Sequence, residues 1–274
     1  MKILKKEILS DYQRTRVIKM EIYDPNISLK ARPGQFVALM VNKEGERIPL
    51  TIVGTGKDSI TIIFQEAGFT TKLLGSLEEG GSLYALAGPL GHPTDIKLYG
   101  KVILVGGGVG IAEVYPVAAA MKKAGNFVIT VLGARTKELL ILEEELRGVS
   151  DELHIATDDG SYQRKGFTTD ILKELLERDK IQLVYSVGPI PMMRRVSCVT
   201  KDYKVETIVS LNALMVDATG MCGCCRVTVA GKTKFSCIDG PEFNALEVDW
   251  DELTKRNRVY SDKEKHICNL NKFF

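Results

Sequence analysis

The stretch Val102-Ile103-Leu104-Val105-Gly106-Gly107-Gly108-Val109-Gly110-Ile111-Ala112 decides the fold. Its four apolar residues, mostly β-branched, predict a short strand buried on both faces. The glycines let the backbone turn sharply, and helical spacing resumes from Ile111. A strand, a glycine turn and a helix start bring backbone N–H groups to where a pyrophosphate sits in doubly wound sheets. The strict G-x-G-x-x-G spacing is only half met. Ile111 stands where the third glycine belongs, and Leu132-Gly133-Ala134-Arg135 ends the next strand in place of an acidic residue. A glycine turn without a ligand is the alternative reading.

Downstream, short apolar strands recur at residues 102–105, 127–132, 153–157, 183–187 and 206–211. Helical patterns at 114–123, 138–147, 169–178 and 192–201 separate most of them. Alternation of this kind predicts parallel strands with helices on both faces. Asp158-Asp159-Gly160 follows the third strand at its C-terminal end, where such sheets bind ligands, or forms a turn that needs Gly160.

Upstream, to about residue 97, apolar and polar residues alternate in short runs. Examples are Arg16-Val17-Ile18-Lys19-Met20-Glu21-Ile22, Gln35-Phe36-Val37-Ala38-Leu39-Met40 and Ser59-Ile60-Thr61-Ile62-Ile63-Phe64, with turns at Pro33-Gly34 and Glu79-Gly80-Gly81. This predicts an antiparallel β-barrel, with one helix over 70–77. The fold class is therefore multi-domain β plus α/β: a barrel at 1–97, a doubly wound parallel sheet at 98–212, and a small C-terminal lobe at 213–274.

Composition sets the outer limits. The 274 residues suit two domains or slightly more, with 45% hydrophobic and 26% charged residues. A net charge of +2, from 37 basic and 35 acidic residues without massed patches, gives no footing for nucleic acid. Charges recur from Lys2 to Lys19, unlike a signal peptide. The segment 102–121 holds Gly106, Gly107, Gly108, Gly110, Glu113 and Pro116, so it reads as a strand, a turn and a helix start rather than a membrane span. The expected location is the cytoplasm.

Beyond residue 212 periodicity fades and cysteines dominate, four of the six lying between 222 and 237. In a reducing compartment such clustering favours metal over disulfides. Asp217, Cys222, Cys225 and Cys237 follow D-x4-C-x2-C-x11-C, the plant-type [2Fe–2S] spacing with a carboxylate in the first position. Oxygen is a harder ligand than sulfur, so this position would shift the cluster's potential. Zinc held by three or four cysteines is the alternative. Cys224, next to Cys225, reads as a non-ligand, Cys198 as packing, and Cys268 has no evident role. His92, His154 and His266 belong to no zinc or triad motif.

Pro33-Gly34-Gln35-Phe36-Val37, Arg47-Ile48-Pro49-Leu50-Thr51, Gly68-Phe69-Thr70-Thr71, Gly88-Pro89-Leu90-Gly91, the glycine loop, and Gly188-Pro189 with Met192-Met193 occur in that order. In this ordered set the chain resembles the ferredoxin–NADP reductase superfamily, in its branch with a C-terminal [2Fe–2S] segment. That branch includes the electron-transfer subunits of dihydroorotate dehydrogenase. It also includes the small subunits of NADH-dependent reduced ferredoxin:NADP oxidoreductases, electron-bifurcating transhydrogenases also called sulfide dehydrogenases. Asp at the first ligand position, followed by Thr219-Gly220-Met221-Cys222-Gly223, resembles the transhydrogenases more.

The resemblance implies roles. Arg47 would meet the FAD diphosphate, Pro49, Leu50 and Thr51 would edge the isoalloxazine, and Gly68, Thr70 and Thr71 would meet the pyrophosphate. Gly107, Gly108 and Gly110 would hold the nicotinamide dinucleotide, with Gly133, Ala134 and Arg135 near its adenosine ribose; Asp158, Gly188 and Met192 complete the expected cofactor-binding residues. NAD(H) is the expected dinucleotide, with NADP(H) the alternative. The implied function is hydride exchange between NAD(H) and FAD, then single-electron transfer through the cluster to a larger flavin and iron–sulfur subunit, in a heterodimer or higher complex that meets ferredoxin indirectly. Two alternatives stay open: a dihydroorotate dehydrogenase subunit, and a zinc-stapled nucleotide-binding regulatory module. One departure stands out: Glu113 follows Ala112 where the family often has proline, and it is expected to point away from the pyrophosphate.

Overall fold

The computed structural model describes residues 1–13 and 15–270, without the side chains of 265 and 267–270, so the Cys268 side chain lies outside it. The chain forms two compact units. One holds Met1–His92, Ala213–Asp239 and the chain from Asp249 onward; the other holds Pro93–Asn212 and Gly240–Val248.

The first unit contains β1 (Ile3–Tyr12), β2 (Thr15–Tyr23), α1 (Pro25–Lys30), β3 (Phe36–Met40), β4 (Ile48–Thr55), β5 (Ser59–Gln65), α2 (Phe69–Ser76) and β6 (Ala85–Leu90). The strands run β1-β2-β5-β4-β3-β6, every neighbouring pair antiparallel. Ile3 N–H donates to the Gly81 carbonyl and Leu83 N–H to that of Met1, so the sheet curls until its first strand meets the approach to its last. Side chains alternate across a strand, so Ile18, Met20 and Ile22 of β2 and Ile60, Ile62 and Phe64 of β5 share one buried face. Leu74 of α2 packs into the same core.

The second unit contains β7 (Lys101–Gly107), α3 (Ile111–Lys123), β8 (Phe127–Ala134), α4 (Glu143–Val149), β9 (Glu152–Thr157), β10 (Arg164–Lys165), α5 (Thr168–Arg178), β11 (Leu183–Val187), α6 (Ile190–Tyr203) and β12 (Glu206–Ser210). The chain then returns to the first unit as the hairpin β13 (Arg226–Val229) and β14 (Lys232–Phe235). It adds β15 (Glu242–Asn244) to the second unit and ends on α7 (Trp250–Asn257) and α8 (Ser261–Leu270) in the first. The sheet order is β10-β9-β8-β7-β11-β12-β15, parallel throughout except for β15 against β12. Neighbours on opposite sides of β7 are reached by opposite windings, so the glycine loop sits at a topological switch point.

The expected helix over 138–147 is instead a 3₁₀ turn at Lys137–Leu139 and a later helix, α4. Ile141 and Leu142 are buried and anchor the break, while Glu143, Glu144 and Glu145 suit the positive N-terminal end of the helix they begin. No helix among the described residues is long and apolar enough to cross a membrane.

Candidate functional site

At the end of β7 the chain makes a 3₁₀ turn, Gly108–Gly110, and enters α3. Gly108 has φ +56, and a Cβ there would meet nothing within 4 Å, so this glycine serves backbone geometry and leaves open space above it. Gly107 and Gly110 serve close approach. A Cβ on Gly107 would come within 2.4 Å of Met192 Sδ, and one on Gly110 within 2.8 Å of the Val187 carbonyl oxygen. Gly188 lies against Met192 in the same way, at 2.7 Å from Cε. The structure thus brings Gly107, Gly188 and Met192 together where β7 and β11 end.

Beside them, Gly133 lets β8 approach α5, since a Cβ would meet Thr168 Cγ2 at 2.5 Å. Asp158 N–H donates to the Ala134 carbonyl (3.1 Å) and Asp159 N–H to that of Arg135 (3.2 Å), joining the ends of β8 and β9. Arg135 and Asp158 are exposed at this edge. Gly160 has φ +78, so the turn reading of this segment holds whatever else it does. Glu113 lies in the first turn of α3, with Oε1 3.5 Å from the Tyr185 hydroxyl.

In the first unit, Pro49, Leu50 and Thr51 lie half-buried on β4, registered against Ala38, Val37 and Phe36 of β3. Gly68 precedes α2. The Thr71 hydroxyl accepts from the N–H groups of Gly68 (2.9 Å) and Ala67 (3.0 Å), which makes it a helix cap. The Thr70 hydroxyl donates to Glu46 Oε2 at 2.8 Å, a partner that sequence patterning did not single out.

The cysteine lobe is organised by the β13–β14 hairpin. Cys225 immediately precedes β13 and Cys237 follows β14, with Ser236 N–H bonded to the Cys225 carbonyl. Both thiols are free and buried, with sulfurs 3.2 Å apart. Burial pushes the Cys237 thiol up to about 12, helped by Cys225 and opposed by the Gly220 N–H. Ala218, Gly220 and Gly223 have positive φ, which curls 217–223 tightly ahead of the hairpin.

The other two predicted ligands are placed differently. Cys222 is exposed. Asp217 Oδ1 lies 2.6 Å from Arg47 Nη1, and its Oδ2 accepts from the Thr219 hydroxyl. Among the described residues no group of three or more His, Cys, Asp or Glu side chains is arranged to hold a metal ion. Two adjacent buried thiols with backbone N–H groups at their sulfurs fit a soft, thiophilic metal centre. The Arg47–Asp217 pair was invisible to motif spacing, because 170 residues separate its members.

Comparison with known proteins adds to this geometry. Residues 104–197 match the oxidoreductase NAD-binding domain family. Residues 212–249 match the iron–sulfur cluster binding domain of dihydroorotate dehydrogenase B. A Thermotoga maritima protein described as a dihydroorotate dehydrogenase B (NAD(+)) electron transfer subunit homolog is 48% identical over 246 residues, 89% of this chain and 87% of its own length. The solved structure of an NADH-dependent reduced ferredoxin–NADP oxidoreductase, studied for flavin-based electron bifurcation, is 45% identical. It covers 97% of this chain and 95% of that one, with a TM-score of 0.91. Ferredoxin–NADP+ reductase from Plasmodium falciparum, 14% identical, covers 73% of this chain and 88% of its own with a TM-score of 0.57, which speaks for the fold alone. The fold is that of the ferredoxin reductases: an antiparallel β unit, a parallel α/β unit carrying an NAD-binding domain, and a C-terminal iron–sulfur-binding segment.

Proposed function

The chain belongs to the family of dihydroorotate dehydrogenase B electron transfer subunits and their homologues, and from that premise we propose that it is the NAD(H)-side subunit of an electron-bifurcating, ferredoxin-linked transhydrogenase. It is an NAD(P)H-linked oxidoreductase subunit of FAD and iron–sulfur type. The observation that carries the finer reading is the likeness, along nearly the whole chain, to the bifurcating ferredoxin–NADP oxidoreductase. Its partner is a larger flavin and iron–sulfur subunit, and it works in the cytoplasm, in keeping with its free thiols.

Flavin, when bound, supplies the step between a two-electron nicotinamide and a one-electron cluster. The protein's share is positioning. The N–H groups at the start of α3 and the opening above Gly108 receive the dinucleotide diphosphate. Arg47, with the segment 68–71 at the start of α2, receives the flavin diphosphate, and Pro49, Leu50 and Thr51 edge its ring. Asp217, Cys222, Cys225 and Cys237 would hold the irons; the thiols would bind as thiolates, so loading the site would release protons.

Iron, acid-labile sulfide and flavin analysis of the purified chain, with its visible spectrum before and after anaerobic NADH, tests this reading. The expected result is about two irons per chain, stoichiometric FAD, and bleaching by NADH. A colourless protein containing zinc would replace it with the nucleotide-binding regulatory module. A second reading, the dihydroorotate dehydrogenase subunit, draws on the description of the Thermotoga relative; a co-purifying partner that oxidises dihydroorotate would select it.

A further inference from the structure

A cluster of oxygen atoms around a buried tyrosine in the second unit has no part in the positioning just described. Glu242 opens β15, in register with Ser210 at the C-terminal end of β12. One of its oxygens, Oε1, accepts from the Tyr185 hydroxyl at 2.8 Å and from the Thr94 hydroxyl at 2.5 Å. Tyr185, on β11, is only 1% exposed. Its hydroxyl also lies 3.5 Å from Oε1 of Glu113, in the first turn of α3 and three residues beyond Gly110. A tyrosine hydroxyl has a single proton to donate, so it cannot satisfy two ionised carboxylates at once. Two half-buried carboxylates that share one buried hydroxyl disfavour being ionised together.

The groups facing Glu242 reinforce this. Asp95, beside Thr94, and Glu113 both add negative charge. Burial and these two carboxylates push Glu242 up to about 7, against the hydrogen bonds from Thr94 and Tyr185 that hold it down. Tyr185 is itself driven well above the ordinary range, by burial and then by Glu242 and Glu113, so the tyrosine keeps its proton.

We propose that Glu242, with Tyr185, Thr94 and Glu113, forms a proton-binding site that takes up a proton from solvent when a dinucleotide diphosphate occupies the loop at Gly107–Gly110. The inference rests on the dinucleotide reading of that loop. The diphosphate brings negative charge to the start of the helix whose first turn carries Glu113. Added negative potential there favours the protonated form of the carboxylate pair. By linkage the effect is reciprocal: as pH rises through neutrality and the site loses its proton, the dinucleotide binds more weakly. The opening of β15 is thereby coupled to nucleotide occupancy without touching the nucleotide.

The test uses the full chain with its flavin and cluster oxidised, and NAD+, which has no hydride to give. Calorimetry at about pH 7.5 in phosphate and in Tris, buffers of different ionisation enthalpy, reads proton uptake directly. The native protein is expected to show buffer-dependent heat and a Kd that rises several-fold between about pH 6 and 8.5. Glu242→Gln, whose amide oxygen still accepts both hydroxyl bonds, is expected to bind with buffer-independent heat and a flat pH profile. Binding heat that is buffer-independent in the native protein, or uptake unchanged in Glu242→Gln, overturns the proposal while leaving the dinucleotide reading intact. No binding heat at all removes both. Infrared difference spectra of the nucleotide-free protein give an independent check: the carbonyl stretch of a protonated carboxyl should fade between about pH 6 and 8 and be missing from Glu242→Gln. A native protein without that band contradicts the site.

Discussion

Arg47 and Asp217 occupy each other in the structure, 2.6 Å apart, although one is assigned to the flavin diphosphate and the other to the irons. The two residues are paired in the structure, so the two assignments are tested together. Asp217→Cys should retain a cluster with a shifted potential, read by redox titration with paramagnetic resonance; an unchanged potential and spectrum would remove Asp217 from the ligand set. Arg47→Gln should weaken flavin retention roughly tenfold, the usual worth of one charge-assisted hydrogen bond, measured by flavin release on dilution. Glu242 makes a prediction about stability. Its native carboxyl holds a proton up to about pH 7, against an ordinary value of 4.5. The unfolded chain therefore binds fewer protons in this window, and stability present below about pH 4.5 is lost as pH rises to about 7. Relative to Glu242→Gln the native protein should lose about 3 kcal/mol across that range, by urea unfolding at each end. A difference that does not vary with pH would refute it. Of these residues, Asp217 and Arg47 were singled out by motif spacing and family resemblance. Glu242 was not, because nothing in a short edge strand signals that a tyrosine 57 residues away will cover its carboxyl.

At the scale of elements, the glycine loop separates two kinds of requirement. A Cβ on Gly107 meets the flexible end of Met192, whereas one on Gly110 meets main-chain atoms of Val187 and Gly188. Gly107→Ala should be tolerated with a modest rise in the KM for NADH as Met192 moves. Gly110→Ala should cost about 1–3 kcal/mol of stability, the usual range for overpacking, and raise that KM further, with flavin content unchanged. Equal effects of the two substitutions would mean that the loop relaxes as a unit. The strand and helix rhythm around this loop was readable because buried parallel strands are continuously apolar, while the helices between them keep their own period. The helix expected over 138–147 was misplaced for a local reason: Ile141 and Leu142 fit a helical pattern, yet they turn inward as an anchor and leave the helix to the glutamates that follow.

Across the whole molecule, the stretch after residue 212 divides between the two units, with the β13–β14 hairpin in one and β15 in the other. Iron removal should therefore act unevenly. After anaerobic chelation, amide exchange should quicken within 213–239, which carries the proposed cluster ligands, and stay unchanged in β7, β8 and β11, which need no metal for their core. Uniform acceleration would show that the cluster supports the entire fold. The alternation of apolar runs, the glycine turn and the cysteine spacing determined the barrel-like sheet, the doubly wound sheet and a metal-binding lobe, because periodicity and metal-ligand spacing are local properties of a chain. The pairing of Arg47 with Asp217, the joining of β15 to the sheet and the meeting of Glu242 with Tyr185 and Glu113 were decided only by tertiary structure. Each depends on residues far apart in sequence, whose proximity follows from packing and from the exclusion of water rather than from any pattern written along the chain.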